Sequence, residues 1–364
     1  MLFALLKASL HNVAADTELF VDAVKEDWDH CYNASSKQGV LALAWDGVQT
    51  LPVEMHPYKK LKFQWAISVE KYEAKHRKYC QTAQELQHFY KEHGIMAVIL
   101  KGVGFSSYYN CPAHREGGDI DIYTCSADTS KMSHKEANEL ADTLMQQQGI
   151  NVDTDHNHKH SNFTYNGIPI ENHKLFLNVE VNPRFLGKLN NILNKVLNVK
   201  ENSLYNGEFK LKVPSIEFDT LFISCHAFQH YGDGLALHHL YDWATIINKF
   251  EIKLSKEVTE DYFLRSIAAF TYLSNKYLGT NVELSHFPSG YEKLADKMLW
   301  EMFYSKFTKV IQFTNPISII IFKIKRLFIR AFYMKSVFGA SITRTVLSSV
   351  RLCFINPGKI LKRG

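Results

Sequence analysis

The apolar positions change texture along the chain. Residues 1–60 alternate short apolar runs with polar breaks. Leu19, Phe20, Ala23, Val24 and Trp28 recur with a helical period between Thr17 and Tyr32. Gly39 to Val48 is apolar on most faces, and Pro52 and Pro57 mark a loop. A long helix is predicted from Leu61 to Glu92, with Trp65, Val69, Tyr72, Tyr79, Leu86 and Phe89 on one broad face and His93-Gly94 as its C-cap.

Ile95 to Leu100 is then a short continuous apolar run, as expected of a strand buried on both faces. Lys101-Gly102-Val103-Gly104 turns the chain, Phe105 to Tyr109 forms a short helix, and Gly117-Gly118 leads into a second buried strand, Asp119 to Tyr123. Residues 133–148 are helical. Asn166-Gly167 between His158–Tyr165 and Ile168–Leu177 is a strong hairpin signal. Leu186–Val199, Phe218–Gln229 and Leu235–Phe250 read as helices, and more follow. The fold class expected is α+β: a small mixed sheet with helical regions at both ends. The divisions are 1–93 (helical), 94–185 (core), 186–301 (helical) and 302–364 (a basic helical tail).

Composition narrows the class. A hydrophobic content of 46% with 22% charged residues is that of an ordinary globular protein. The six cysteines are scattered with no C-x-x-C pair, which argues against a zinc ribbon and a disulfide framework and fits a reducing, cytoplasmic setting. Met1–Leu6 is too short for a signal peptide, and the apolar run Ile317–Phe322 is too short to span a bilayer. Charge is unevenly placed. No acidic residue follows Glu301, while Lys and Arg recur from Lys306 to Arg363, so the tail is basic and the body net acidic. Such a tail could contact an anionic membrane surface or RNA, or fold its helices onto the acidic body with a solvated basic face, the reading preferred here.

The candidate chemistry lies in Arg115-Glu116-Gly117-Gly118-Asp119-Ile120-Asp121-Ile122. On a strand, residues i and i+2 share a face, so Asp119 and Asp121 project side by side. Two such carboxylates among apolar neighbours repel one another unless a cation lies between them. Oxygen ligands suit Mg2+ or Mn2+, with substrate phosphate oxygens completing the shell. The glycine turn at Gly102 permits close backbone approach, a helix start at Val103 would aim N–H groups at phosphate, and Lys101 and Arg115 could neutralise it.

Taken together, Leu100-Lys101-Gly102, Arg115 to Ile122, and Ile170-Glu171-Asn172-His173 resemble the polymerase-β nucleotidyltransferase superfamily. The resemblance is to the bacterial family of uncharacterised nucleotidyltransferases, and it extends from Gln38-Gly39-Val40 to the helices around His226 and Asp242. It implies that Asp119, Asp121 and Glu171 are the catalytic, metal-binding carboxylates. Lys101, Gly102, Val103 and Arg115 would contact the nucleotide. His173, His226 and Asp242 would support the site or face the acceptor. The implied reaction moves a nucleoside monophosphate from ATP or another nucleoside triphosphate to an acceptor (RNA, protein or small molecule), releasing pyrophosphate. The superfamily usually has Ser where Val103 stands, which motivates a rival reading: a non-catalytic nucleotide-binding module.

Histidines supply two further patterns. His156, His158 and His160 alternate, as a polar strand edge would, and zinc could use them. His226, His230, His238, His239 and Asp242 sit on two apolar helices. A His/Asp metal phosphohydrolase would gather such residues, but no His-Asp dipeptide occurs, and most of the group is expected to be structural.

Overall fold

The computed structural model describes residues 1–128, 130–154, 159–305 and 316–355. His156, His158, Lys306, Lys309 and the segment 356–364 lie outside the described residues. The architecture is α+β, with helices on both faces of one mixed sheet.

The sheet has five strands: β1 (Ile95–Ile99), β2 (Ile120–Ser126), β3 (Asp153–Thr154), β4 (His160–Tyr165) and β5 (Ile168–His173), in the spatial order β1-β2-β5-β4-β3. Only β2 and β5 run parallel; the other pairs are antiparallel. The hairpin forms as the sequence predicts, because Asn166 and Gly167 both take positive φ, 52° and 75°. That is the twist a two-residue turn between antiparallel strands requires. Its strands are shorter than expected: the chain leaves the sheet after His173, where Lys174 and Leu175 N–H both turn back to the Lys159 carbonyl.

Alternation along β2 sorts its side chains between two cores. Ile120 and Ile122 are fully buried in a cluster with Leu86 and Tyr90 of the long helix Lys59–Glu92 and Ala141 and Met145 of the helix His134–Gln147. Tyr123 belongs to the other cluster, built from the helices Pro183–Val196, Ile216–Gln229, Leu237–Lys249 and Asp261–Leu273. Asp121 shares its face with Tyr123 and therefore looks toward those later helices.

The long helix does more than cover the sheet. Lys75 Nζ donates to the Gly117 carbonyl at 2.6 Å and Tyr79 Oη to that of Gly118 at 3.0 Å, which fixes the approach to Asp119. Glu116 accepts from Leu41 N at 2.7 Å, the first residue of the helix Leu41–Gln49. The N-terminal region thus buttresses the segment that enters β2.

A second, two-stranded sheet, β6 (Lys200–Leu204) and β7 (Phe209–Val213), was not anticipated. Its signal was present in the alternation Phe209-Lys210-Leu211-Lys212-Val213, whose apolar members are buried and whose lysines are exposed. Gln87 joins it to the main sheet, donating to the carbonyls of Ala97 and Lys212 at 2.8 and 3.0 Å.

The tail helix Pro316–Phe338 folds back on the body: Met334, Val337 and Phe338 are buried, and Arg326 and Arg330 both pair with Asp233. Its other side carries exposed Ile320, Ile324, Phe328 and Phe332. Among the described residues, no helix is long and apolar enough to cross a membrane.

Candidate active site

The parallel pairing of β2 with β5 sets Asp121 directly opposite Glu171. With Asp119 two residues earlier on the same face, one oxygen from each of the three carboxylates lies within 4.8 Å of the others. Asp121 is fully buried, whereas Asp119 and Glu171 remain 34% and 26% exposed at the side chain. The cluster therefore has a buried floor and an open lip.

Two side chains, Lys101 and His173, steady the floor. Lys101, just after β1, places Nζ 2.8 Å from Asp121 Oδ2 and 3.8 Å from Asp119 Oδ1. His173, two residues beyond Glu171 on the same face of β5, donates from Nε2 to Asp121 Oδ1 at 2.9 Å and lies 3.5 Å from Glu171 Oε2. Its Nδ1 faces the Leu175 carbonyl at 3.2 Å. Both ring nitrogens thus face oxygens, which fixes the orientation of the ring.

The electrostatics follow from this layout. Burial would raise the Asp121 pKa, but Lys101 and His173 outweigh it and hold the carboxyl below the usual range. Burial likewise opposes ionisation of Glu171, and the His173 hydrogen bond again tips the balance downward. Asp119 moves the other way, raised by burial and by repulsion from Asp121. Burial would depress Lys101, yet the attraction of Asp121 and Asp119 raises it.

This donor set fits a divalent cation. It is all oxygen and anionic, its three oxygens lie within 4.8 Å of one another, and Asp121 Oδ2 is met by the Lys101 ammonium at 2.8 Å, a cation in the place a metal would take. Behind β5, Asn172 and Ser161 both donate to Asp142, at 2.9 and 2.6 Å, locking the strand that carries Glu171 and His173 onto the helix His134–Gln147.

Two cavities meet at the lip. One, of about 460 Å³, runs from Lys101, Asp119 and Glu171 past Lys159 to His226, His230 and His239. The other, of about 580 Å³, shares Asp119 and Glu171 and is walled by Asn151, Asn162, Phe163 and Thr164.

Not every residue singled out in the sequence reaches this place. Arg115, expected to meet the triphosphate, is engaged by a carboxylate of the chain itself. Its guanidinium binds Asp242 in a two-point contact at 2.9 and 2.7 Å and lies over the Phe105 ring. The Tyr109 hydroxyl bonds the same carboxylate. Asp242 is thereby an anchor of the loop before β2, and it is not gathered with the histidines as a His/Asp phosphohydrolase would need.

The Val103 side chain is buried in the core beneath the sheet, leaving only its backbone for a ligand. The expected helix at Val103 starts later, as a short 3-10 turn over Phe105–Tyr108. Gly102 does take the left-handed conformation, at φ 61°. His226 lines the first cavity, and His238 lies against Gly39, whose missing Cβ leaves room for the imidazole.

Two lining residues escaped the sequence reading. Lys159 stands in the segment just before β4, and burial lowers its pKa more than the nearby Glu171 and Asp121 restore it. Arg330 comes from the tail. Neither sits in a motif, so no local signal marked them. His160, from the alternating histidines, lies 3.8 Å from Glu171.

An acidic cluster on adjoining parallel strands, beside a glycine bend, opens onto a cavity of mixed charge in this α+β protein. A family model described as uncharacterised nucleotidyltransferase matches residues 24–279, and the chain belongs to that family. No curated protein matches the chain, and neither does any solved structure.

Proposed function

We propose that the protein transfers a nucleoside monophosphate from a nucleoside triphosphate to an acceptor, with Asp119, Asp121 and Glu171 holding divalent metal, Mg2+ or Mn2+. The observation that carries this reading is the register of β2 on β5, which sets Asp121 opposite Glu171 and brings one oxygen of each of Asp119, Asp121 and Glu171 within 4.8 Å of the others. A divalent metal bound there would neutralise the charge growing on the α-phosphate and on the leaving pyrophosphate.

The chain's own groups have separable tasks. Asp121 remains ionised because Lys101 and His173 face it. His173 also fixes the rotamer of Asp121 and lies beside Glu171, so the two strands present their carboxylates in one geometry. The Lys101 ammonium is near enough to serve either the carboxylates or a phosphate. The acceptor oxygen would attack the α-phosphorus as the bond to the bridging oxygen breaks.

The test is incubation with nucleoside triphosphates labelled at the α-phosphate, in the presence of cell extract and Mg2+. Transfer of label to some acceptor is expected. Asp121→Ala should reduce it by about 1,000-fold or more, since metal stabilisation of such charge amounts to several kcal/mol. Labelling that persists in Asp121→Ala would overturn the proposal. Tight, metal-independent nucleotide binding without any labelled product would instead favour a non-catalytic module, the reading that the buried Val103 side chain supports.

A further inference from the structure

His226, His230 and His239 meet at the far wall of the first cavity, with one nitrogen of each within 4.8 Å of the others. His226 and His230 are one turn apart at the end of the helix Ile216–Gln229, and His239 comes from the first turn of Leu237–Lys249. Three imidazoles at such spacing invite assignment as a zinc site. The hydrogen bonding of His239 argues against it. Its Nδ1 accepts from the backbone N–H of Ala236 at 3.1 Å. A backbone amide can only donate, so in the neutral ring the proton sits on Nε2. That nitrogen is then a donor without a lone pair for metal.

The surroundings point the same way. Among the described residues, the ring nitrogens of His226 and His230 have no hydrogen-bond partner. The same cavity holds Lys159, whose ammonium forms no ion pair with a described residue, and Lys101. A concavity lined by N–H donors and ammonium groups is built for an oxyanion. Of its carboxylates, Asp119 and Glu171 open onto it at the opposite end, and Asp233, near His230, is paired with Arg326 and Arg330.

We propose that His226, His230 and His239, together with Lys159, form a binding site for condensed phosphate that receives the terminal phosphates of the nucleotide. The assignment rests on the transferase reading for the identity of the ligand, but not for the existence of the site. A triphosphate chain whose α-phosphate lies at the carboxylates would extend across the cavity to the histidine wall. Its volume, about 460 Å³, is that of an ordinary small-molecule site.

The experiment is calorimetric titration of the full chain with inorganic tripolyphosphate, paired with Co2+ titration followed by visible absorbance. His230→Leu and Lys159→Met should each weaken tripolyphosphate binding about tenfold or more, the value of a hydrogen bond to a charged group. His230→Asn, which retains an N–H donor, should stay within about threefold of the parent on the same grounds. No histidine-dependent Co2+ band is expected.

The proposal fails if tripolyphosphate binds the Leu and Met variants as tightly as the parent. It also fails if the parent binds one Co2+ or Zn2+ that His230→Leu and His230→Asn both release. Release of pyrophosphate from nucleoside triphosphate, in the presence of cell extract and Mg2+, is scored separately. A chain that binds tripolyphosphate through these residues yet never releases pyrophosphate supports this site while removing the transferase reading.

Discussion

The Lys101 ammonium lies 2.8 Å from Oδ2 of Asp121, a carboxylate with no solvent exposure. An internal cation thus stands where the acidic cluster would take up metal. Lys101→Met removes that competitor and leaves Asp121 buried and less well paired, a costly state that an added cation relieves. The variant is expected to have a lower thermal midpoint without metal, and a larger rise in that midpoint on adding Mn2+ than the parent shows. Nucleotide binding should weaken in the same variant. A smaller Mn2+ response than the parent's would mean that Lys101 helps to build the cation site and does not compete for it.

Arg115 and Asp242 make a buried two-point ion pair. Removing one member strands the other's charge in the interior, which costs about 3–5 kcal/mol. Arg115→Met should lose stability on that scale in urea unfolding, and Arg115→Met combined with Asp242→Leu should recover much of it. If the single variant kept its stability and lost only nucleotide affinity, the arginine would be a phosphate ligand after all.

The two glycines of the turn after β1 answer to different constraints. Gly102 has φ 61°, so alanine there would carry the left-handed backbone penalty, about 1–2 kcal/mol. Gly104 has ordinary dihedrals, but a Cβ would stand 2.7 Å from the Ile99 carbonyl oxygen. That oxygen is backbone and cannot rotate away, so β1 or the turn must shift. Gly104→Ala is expected to be the more damaging of the pair by chemical denaturation, and the reverse order would contradict this account.

Stability should fall as the solution is acidified below about pH 6.5. Burial holds His226 and His239 neutral well below the usual histidine range, and it lowers His230 and His76 to about 4. In the unfolded chain these rings take up protons near pH 6.5; in the folded chain they do not. Protons are therefore bound preferentially by the unfolded state between about 6.5 and 4, at roughly 1.4 kcal/mol per pH unit for each such histidine.

His114 has the opposite sign. Burial opposes its charge, but its hydrogen bond to Asp46 raises it to about 11. Its contribution is complete below about pH 6.5 and declines as pH rises from there toward about 11. A thermal midpoint that is highest near neutrality and falls on both sides is the expected profile, and His114→Asn should flatten the alkaline limb. A midpoint unchanged between pH 6.5 and 4.5 would be inconsistent with neutral buried histidines.

Much of the fold was legible because its signals are local. The helix Lys59–Glu92, the buried strand Ile95–Ile99 and the Asn166-Gly167 hairpin each follow from periodicity or turn chemistry within a few residues. The β6–β7 ribbon was overlooked because its strands are short and its partner in packing, Gln87, lies far away in sequence. The pairing of the two aspartates was likewise readable from the alternation of a strand. The roles of Arg115 and Asp242 were not, since nothing local reveals that a loop arginine and a helix carboxylate 127 residues apart will neutralise each other.

What the sequence by itself determined is most of the helices, the main strands and the side-by-side placement of Asp119 and Asp121, because backbone geometry repeats every two or every 3.6 residues regardless of the rest of the chain. Only the tertiary structure decided that Glu171 lies across a parallel register from Asp121, that Lys101 and His173 keep that carboxylate charged, and that Lys159 and three histidines close the far side of the cavity. Those relations depend on which strands pair and which helices pack over them. They are set by burial and charge compensation summed over distant segments, which no local pattern encodes.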